Sequence, residues 1–389
     1  MRKIAAITTS RADYSHLAWV LKDLREHRDV DLRLIVTAAH LAEGFGRAVE
    51  EIERDGHRID DRIECLLDSD TDVGMAKTIG LAILGLAEAL GRMRPDLLLL
   101  IADRYEMLAP ASTALALRIP VAHIEGGEVS EGAIDDAVRN ALTKLSHIHF
   151  APTETAKRRI LAMGEERWRV HRVGAPSLDH LRRSELLSRA DLESALDLRL
   201  ERDAILVAYH PVTLARDTLW EADELFAALE RIPGQILFCF PNADAGSREL
   251  GRRARSFCER RPLARLFVNL SPTRYWSLLR HAALMLGNSS SGIMETPTLG
   301  LPTINIGARQ QGRERARNVL DAPADCEAIL ATVDRGLNPA FRESLVGMTN
   351  PYGDGRASGR IVEVLAGAPL GEKLLHKRGI PVESVLDPA

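Results

Sequence analysis

The residues best suited to chemistry lie in an acidic stretch, "HIEGGEVSEGAIDD", at residues 123–136. It places five carboxylates directly after the apolar run "LALRIPVA". Crowded carboxylates raise one another's pKa and repel anionic ligands, so this arrangement suits a site that transfers protons or holds a cation. Glu125 follows a predicted strand and precedes two glycines, where no helix cap explains it, and it is the first candidate acid. Asp135 and Asp136 begin the predicted helix "DDAVRNALTKLSH", where aspartates are commonly structural, and we prefer that interpretation for Asp136.

Two further candidates also follow apolar strands directly. Asp103 comes after "LLLLIA" with Arg104 and Glu106 beside it, although an acid there is also commonly a helix cap paired with its arginine. His210 ends "LVAYH" and precedes a proline, and a packed histidine is the alternative. Because the carboxyl ends of parallel strands meet at one edge of a sheet, we treat these residues as one set.

Two stretches offer groups for binding an anion. "TTSRADYSH" places Arg11 and Ser15 at a helix start, which attracts negative charge; a simple N-cap beside a solvated arginine is the alternative. "ALMLGNSSSGIMETP" is typical of a strand, a loop and a helix, whose hydroxyl and N–H groups could hold a diphosphate; a serine-rich turn is the alternative. The binding candidates in and after this second stretch are Asn288, Ser289, Ser290, Ser291, Gly292, Glu295, placed to accept hydrogen bonds from a ribose, and Arg309 after the next strand.

The strands and helices that must position these residues alternate along the chain. Short apolar runs such as "KIAAITT" and "DLLLLIAD" are separated by amphipathic segments, the pattern of parallel strands joined by helices. With 389 residues the chain is too long for one ordinary core. We predict an α/β protein of two doubly wound, Rossmann-like domains facing a cleft. The predicted parts are an N-terminal domain with the carboxylates at 1–180, a connection at 181–203, a nucleotide-binding domain at 204–365 and a tail at 366–389.

Composition narrows the range of partners. Lys plus Arg (51) nearly balances Asp plus Glu (55), which argues against a nucleic-acid partner bound through a general basic field. The four cysteines are dispersed, which predicts neither a zinc site nor disulfides and indicates a reduced, cytoplasmic protein. The N-terminus lacks a signal-peptide pattern, and no stretch approaches the roughly 20 apolar residues that span a bilayer, so we expect no membrane partner.

Seven blocks occur in an order that resembles one enzyme family: "TTSRADYS", "DRYEMLA", "HIEGGEVSEGAIDDAVRNALTKLSH", "YHPVT", "FPNADAGS", "GNSSSGIMETP" and "NPYGDGRAS". From residue 4 to about 360, the chain resembles the hydrolysing UDP-N-acetylglucosamine 2-epimerases of sialic-acid biosynthesis and their bacterial relatives in legionaminic-acid pathways. The resemblance implies a glycosyltransferase-B-like fold and a homodimer or homotetramer. It also implies a UDP-sugar substrate, UDP-GlcNAc, that is converted to N-acetylmannosamine plus UDP with no metal and no redox cofactor.

By motif position, the resemblance puts the family's catalytic acids on Asp103, Glu125 and Asp135 and its active-site histidine on His210. Its substrate- and nucleotide-binding positions are Arg11, Ser15, Arg104, Asn242, Asp244 and the seven residues from Asn288 to Arg309 named above. The chain departs from the family at Ala102, where glycine is usual before the aspartate. One extra residue in "SEGAIDD", relative to the animal enzymes, leaves Asp135 and Asp136 both open as the catalytic aspartate.

The implied chemistry gives the carboxylates a role. The hydrogen on C2 of an N-acetylhexosamine is not next to a carbonyl, so it becomes acidic only as UDP leaves and positive charge develops at C1. Carboxylates then stabilise the cationic sugar and take the proton, and a second acid protonates the resulting 2-acetamidoglucal from the opposite face during hydration. We assign proton transfer to Glu125 and Asp135, stabilisation of the sugar or the role of a third acid to Asp103, and water activation or leaving-group contact to His210.

Three alternatives share the fold or the nucleotide site: a non-hydrolysing UDP-GlcNAc 2-epimerase, a glycosyltransferase, and a non-catalytic nucleotide-sugar-binding protein. Non-hydrolysing relatives typically carry an "HxEAGLR" block followed by a Glu-Glu pair, and the stretch at 123–136 has neither. A glycosyltransferase needs a large acceptor cleft or a basic acceptor patch, and a binding protein needs no set of strand-end carboxylates. The exact sugar and base stay open, because relatives with nearly the same motifs use UDP-2,4-diacetamido-2,4,6-trideoxyglucose or GDP-GlcNAc.

Overall fold

The computed structural model describes residues 1–42, 49–67, 69, 71–131, 133–212, 219–240, 247–268 and 270–379. These residues form two compact units, each built on one parallel sheet. The first unit is Met1–Glu128, Ile134–Asp179 and the segment from Tyr352, and the second is Val129–Ala133 with His180–Pro351. Two α/β units with parallel sheets confirm the predicted fold class.

The first unit contains seven strands: β1 (Arg2–Thr8), β2 (Val30–Thr37), β3 (Asp61–Ile63), β4 (Leu97–Ile101), β5 (Val121–Ile124), β6 (Ile148–Ala151) and β7 (Val170–Arg172). They are parallel and lie in the order β3-β2-β1-β4-β5-β6-β7. The helices are α1 (Arg11–Glu26), α2 (Val49–Arg54), α3 (Asp72–Met93), α4 (Leu108–Leu117), α5 (Asp135–Leu145) and α6 (Glu154–Ala162). Strands β4 and β5 are buried along their whole length, which their continuous apolar sequences require.

The second unit contains six strands: β8 (Ile205–Ala208), β9 (Ile236–Phe240), β10 (Ala264–Val268), β11 (Leu284–Gly287), β12 (Thr303–Ile306) and β13 (Val319–Ala322). They are parallel, in the order β10-β9-β8-β11-β12-β13. The remaining helices in chain order are α7 (Asp179–Arg183), α8 (Arg189–Leu196), α9 (Trp220–Arg231), α10 (Ser247–Arg260), α11 (Pro272–His281), α12 (Ser291–Met294), α13 (Thr296–Leu299), α14 (Cys326–Leu337), α15 (Pro339–Ser344), α16 (Ala357–Gly367) and α17 (Glu372–Leu375). Short 3₁₀ turns lie at Ala38–His40, Tyr105–Met107, Arg167–Arg169 and Pro176–Leu178.

In each sheet the strand order reverses at one strand, β1 in the first unit and β8 in the second. Crossover connections leave such a strand in opposite directions, which opens a crevice at its carboxyl end where ligands bind. The loops that follow β1, β4 and β5, and those that follow β8, β11 and β12, are therefore the places to look for functional side chains. The candidate residues from the sequence that the structure describes lie in or just after these loops.

The unit boundaries differ from the predicted ones because hydrogen bonds tie distant segments together. Asp179 accepts the backbone N–H groups of Ala357 and Ser358, each at 2.8 Å, so α16 belongs to the first unit and not to the second. Residues 181–203, expected to be a connection, belong to the second unit, where the backbone N–H of Leu187 donates to Ser277 Oγ at 2.9 Å. The short segment Val129–Ala133 also belongs to the second unit, where Arg313 Nε donates to the Val129 carbonyl at 3.0 Å.

The described part of the C-terminal tail packs on the first unit. Arg169 donates to the carbonyl oxygens of Leu374 and His376 at 2.8 and 2.7 Å, and Lys377 lies 2.7 Å from the buried carboxylate of Glu165. Burial alone would raise the pKa of Glu165, but hydrogen bonds from His149, Lys144 and Lys377 lower this pKa to about 2. The tail is therefore fixed by charged groups that would otherwise be buried without a partner.

Helix α3 corrects the expectation that no apolar stretch is long enough to span a bilayer. By length and composition alone it could do so, with a mean hydropathy of 1.6 over its most apolar window. Only 33% of that window is buried within the unit, on the side that faces α4 and the core. Core helices of water-soluble proteins share this composition, so it is weak evidence for a membrane.

Candidate functional site

Glu125 is held at the end of β5 by its backbone and by a histidine. Its φ angle of 65° is left-handed, a conformation that costs a residue with a side chain on the order of 1 kcal/mol and that clusters at functional sites. The backbone N–H still bonds to the Phe150 carbonyl at 2.9 Å, which continues the ladder to β6. His16 of α1 donates from Nδ1 to Glu125 Oε1 at 2.7 Å, and Glu125 is only 6% exposed. A carboxylate on an imidazole is a group that can accept and pass on a proton.

Asp103 follows the neighbouring strand β4 and has a different partner. The chain turns at Ala102, also left-handed with φ 60°, and the Asp103 carboxylate then bonds to the guanidinium of Arg139. Arg139 is 1% exposed and also donates to the Glu128 carbonyl at 3.0 Å, which fixes its direction. Because β4 and β5 are paired up to Ile101 and Ile124, two carboxylates with different partners, an imidazole and a guanidinium, follow adjacent strands.

The other carboxylates of the acidic stretch differ in their surroundings. Glu128 accepts a hydrogen bond from the Tyr352 hydroxyl at 2.9 Å, and Glu131 is exposed. Asp136 accepts from Asn140 at 3.1 Å and lies 3.7 Å from Arg139, which agrees with a structural role. Asp135 is the first residue of α5 and is half-buried. The glycines turn the chain between these groups: Gly127, with φ 78°, lies so close to the Ala156 carbonyl that a Cβ would clash.

The candidate anion-binding arginines of the first unit are engaged by carboxylates. Arg11 Nε lies 3.2 Å from Glu51 Oε2 of α2, and burial raises the pKa of Glu51. Arg104 Nη2 donates to Glu106 Oε1 at 2.9 Å, and both residues are buried. Ser15 lies half-buried in the second turn of α1. An anion would have to share these arginines with their carboxylates.

Buried histidines should make the first unit sensitive to acid. His123 on β5 donates from Nε2 to the Ala102 carbonyl at 2.7 Å, and burial lowers its pKa to about 4; burial lowers the pKa of His40 to about 4 as well. The unfolded chain binds these protons near pH 6.5 and the folded chain only near pH 4, so stability should fall as pH decreases through this window, by about 3 kcal/mol for each histidine.

Guanidinium unfolding at several pH values measures this loss. His123→Gln keeps a donor for the Ala102 carbonyl and should remove the His123 share of the pH dependence. A free energy of unfolding that stays constant between pH 6.5 and 4 would contradict the expectation.

In the second unit, Asn288 joins the loops that follow β8 and β11. Its side-chain Oδ1 accepts the backbone N–H of His210 at 2.7 Å and its Nδ2 donates to the His210 carbonyl at 2.8 Å. Arg309 and Gln310, after β12, donate to the Asn288 carbonyl at 3.3 and 2.8 Å. The preceding Gly287, with φ 144°, lies so close to the Ala208 carbonyl that a Cβ would clash, which explains the glycine. The side chain and the backbone carbonyl of one buried residue, Asn288, thus connect the three loops that follow β8, β11 and β12.

The predicted helix after β11 is interrupted. Four-residue α12 ends before Glu295 and four-residue α13 begins at Thr296, with Pro297 unable to continue the hydrogen bonds of the first helix. Ser291 donates to Glu295 Oε2 at 2.5 Å and accepts from the Tyr275 hydroxyl at 2.7 Å. Ser289 and Ser290 are half-buried at the start of α12, and Gly292 is buried against Thr303. Such short helices contribute a weaker dipole than the predicted single helix.

Sequence reasoning missed several residues of this site. His16 was noticed only as part of its stretch, because its partner Glu125 lies 109 positions away. Arg139 carried one usable signal, its position four residues after Asp135 on the same helix. Two predicted binding residues, Asn242 and Asp244, lie outside the described residues. Within the described ranges, no group of three or more His, Cys, Asp or Glu side chains is arranged to hold a metal ion.

The chain is similar to known proteins over most of its length. Residues 22–366 match the family model described as UDP-N-acetylglucosamine 2-epimerase. The chain is 36% identical over 324 residues to the GDP/UDP-N,N'-diacetylbacillosamine 2-epimerase (hydrolyzing) of Campylobacter jejuni, covering 82% of this chain and 84% of that protein. It is also 36% identical over 378 residues to the UDP-N,N'-diacetylbacillosamine 2-epimerase (hydrolyzing) of Legionella pneumophila, covering 97% and 99%.

The fold resembles the crystal structure of UDP-GlcNAc 2-epimerase from Neisseria meningitidis bound to UDP-GlcNAc, with a TM-score of 0.77, 21% identity and coverage of 93% of this chain and 99% of that chain. The structural likeness supports a glycosyltransferase-B-like fold. The assignment to a family rests on the family model and on the two 36% identical relatives. The chain belongs to the UDP-N-acetylglucosamine 2-epimerase family.

Proposed function

We propose that this protein is a hydrolysing 2-epimerase, which converts a UDP-linked 2-acetamido sugar to the free 2-epimer and UDP. The observation that carries the proposal is the pair of strand-end carboxylates with unlike partners, Glu125 on an imidazole and Asp103 on a guanidinium. The word "hydrolyzing" in the names of both 36% identical relatives supports water, rather than UDP, as the final reactant.

The partners of the carboxylates suggest their roles. The Asp103 carboxylate is held on a guanidinium, and a carboxylate in this position is suited to stabilise a sugar that becomes cationic as UDP leaves. Glu125 is paired with His16, and a buried carboxylate on an imidazole is suited to remove the proton from C2. Elimination then gives a 2-acetamidoglucal. We assign its protonation from the opposite face to Asp135, at the start of α5.

The second unit is proposed to bind the nucleotide. The crevice beside its switch strand β8 is bordered by the loop of His210, the serines at the start of α12 and Arg309. Backbone N–H groups and hydroxyls there suit a diphosphate, and a guanidinium held on the Asn288 carbonyl adds positive charge without needing to be ordered on binding. Glu295, already an acceptor for Ser291, is proposed to bind the ribose hydroxyls.

The sugar is proposed to be UDP-N,N'-diacetylbacillosamine, with UDP-GlcNAc as the second candidate. The first follows the names of the two 36% identical relatives, and the second follows the name of the family. Both carry the 2-acetamido group and the C2 hydrogen that the mechanism needs.

NMR in deuterated water tests the reaction and the substrate together. The chain is incubated with UDP-GlcNAc and with UDP- and GDP-linked N,N'-diacetylbacillosamine, and ³¹P and ¹H spectra are followed. We expect free UDP, a free 2-epimer and deuterium at C2. A 2-epimer that remains linked to UDP would identify a non-hydrolysing enzyme, and binding without any product would contradict catalysis.

His16 should act as a positioning residue through Glu125. His16→Ala removes the Nδ1–H donor and should lower kcat about 10- to 100-fold with little change in KM, because the imidazole bonds to the proposed base Glu125. His16→Asn places an amide donor near the same position and should recover part of kcat. Equal losses in the two variants, or a loss confined to KM, would contradict this role.

A further inference from the structure

Glu221, the second residue of α9, is a buried carboxylate that has no part in the proposed reaction. Its Oε2 accepts a hydrogen bond from the hydroxyl of Tyr209 at 3.0 Å, and Tyr209 is itself buried at the end of β8. Within the described ranges, no cationic side chain pairs with this carboxylate. Burying a carboxylate without a counter-charge is costly, so its other contacts must explain its presence.

The loop that follows β12 packs directly against the same carboxylate. Gly307, with φ 70°, leaves no room for a side chain, because a Cβ there would lie 2.3 Å from Glu221 Oε2 and 2.5 Å from Oε1. The next backbone N–H, that of Ala308, hydrogen-bonds to the carboxylate. Burial raises the pKa of Glu221, and the hydrogen bonds from Tyr209 and Ala308 oppose this rise. Glycine at 307 therefore lets the carboxylate approach the backbone of this loop.

Glu221 thus connects two loops that the sheet keeps apart. Strand β11 lies between β8 and β12, so the carboxyl ends of β8 and β12 are about 10 Å from each other. Tyr209 directly precedes His210 in the sequence. Ala308 directly precedes Arg309. Both side chains that border the proposed nucleotide crevice therefore follow a residue that is held by Glu221.

We propose that Glu221 is a positioning residue for nucleotide binding, which holds the loops of His210 and Arg309 in the arrangement that receives a diphosphate. This inference rests on the proposed function, because it takes the diphosphate site in this crevice as given. Loops that are already ordered lose less conformational entropy when the ligand binds, and the affinity is higher for that reason.

The hydrogen bonds of Glu221, and not its charge, are what this role requires. A negative charge near a diphosphate repels it. Glutamine has the same size, and its amide can accept the Ala308 N–H with the oxygen and donate to the Tyr209 hydroxyl oxygen with the NH₂ group. Glutamine should therefore replace Glu221 in this role, whereas leucine, which can neither accept nor donate, should not.

Calorimetric titration of the full chain with UDP tests the role. Glu221→Leu should raise the Kd for UDP about tenfold, and Glu221→Gln should keep it within about twofold of wild type or lower it. In turnover assays the KM for the UDP-sugar should rise together with the Kd, and kcat should change less.

Glu224→Leu is the matched control. Glu224 is a second carboxylate on α9, and it accepts the backbone N–H of Cys326 at 2.9 Å, away from the two loops. Its removal should lower the free energy of unfolding while the Kd for UDP stays within about twofold of wild type.

Tyr209→Phe is a milder variant that keeps the test decisive if Glu221→Leu does not fold. It removes one hydroxyl and should raise the Kd for UDP about threefold. The role is overturned if either Tyr209→Phe or Glu221→Leu binds UDP with the wild-type Kd, if Glu221→Gln binds as weakly as Glu221→Leu, or if Glu224→Leu weakens binding equally. A wild-type chain that binds no UDP would overturn the proposed nucleotide site itself, and this inference with it.

Discussion

Replacing Glu125 by glutamine should lower kcat about a thousandfold while UDP binding stays within about twofold of wild type. The amide keeps the size of the side chain, and its oxygen can still accept the hydrogen bond from His16, but an amide cannot take the C2 proton. Glu125 is buried at a strand end beside an imidazole, which is an environment where a carboxylate works as a base. Turnover is measured by UDP release and binding by calorimetry.

Glu131→Gln is the matched control for this variant. It removes an exposed carboxylate from the same acidic stretch and should change kcat by less than about twofold. A Glu125→Gln enzyme that releases UDP and incorporates deuterium at C2 at the wild-type rate would remove Glu125 from the mechanism. Loss of UDP binding in that variant would instead point to a folding defect or to a role in binding.

Arg139→Met should lower the free energy of unfolding by about 3 kcal/mol and reduce turnover about a hundredfold. The guanidinium is 1% exposed and is the counter-charge of Asp103, so its removal takes this counter-charge from a largely buried carboxylate. The Glu128 carbonyl also loses its donor. Denaturant unfolding and UDP release measure the two effects.

The double variant Arg139→Met/Asp103→Asn distinguishes the two roles of this ion pair. Once Asp103 is replaced by the neutral asparagine, most of the lost free energy of unfolding should be recovered, because two neutral groups of similar size are less costly to bury than one charge. Turnover should not return, since the ionised Asp103 is absent. Arg158→Met breaks an exposed pair with Glu154 and should change stability by less than about 0.5 kcal/mol. A double variant that is no more stable than Arg139→Met would contradict the assigned pairing.

The sequence predicted the interior strands of both sheets, but it did not predict most of the strands at the sheet edges. Interior strands such as β4 and β5 are covered on both faces and appear as continuous apolar runs. The edge strands β3, β7 and β13 have three or four residues with exposed positions, and their sequences were not recognised as strands. The candidate acids were found for the same reason as the interior strands, because Asp103 and Glu125 follow those apolar runs.

The partners of the acids could not be predicted, since a hydrogen bond between distant positions leaves no local pattern. Arg139 lies 36 positions from Asp103, and His16 is separated from Glu125 by most of the sheet's connections. Left-handed backbone at Ala102 and Glu125 is likewise invisible, because both residue types normally avoid it. The break between α12 and α13 did carry a signal, Pro297, which the prediction of one helix passed over.

The return of the chain to the first unit at Tyr352 sets an order of events during synthesis. All seven strands of the first sheet have been synthesised once the ribosome has added Arg172. Helix α16, which packs on α1 and whose first N–H groups bond to Asp179, is made only after residues 180–351. At about 5–20 residues per second, this gap lasts roughly 10–30 s. During this interval the surface of α1 that α16 later covers is exposed in the nascent first unit. A chaperone that binds apolar surface would therefore act on the first unit mainly while the second unit is being synthesised.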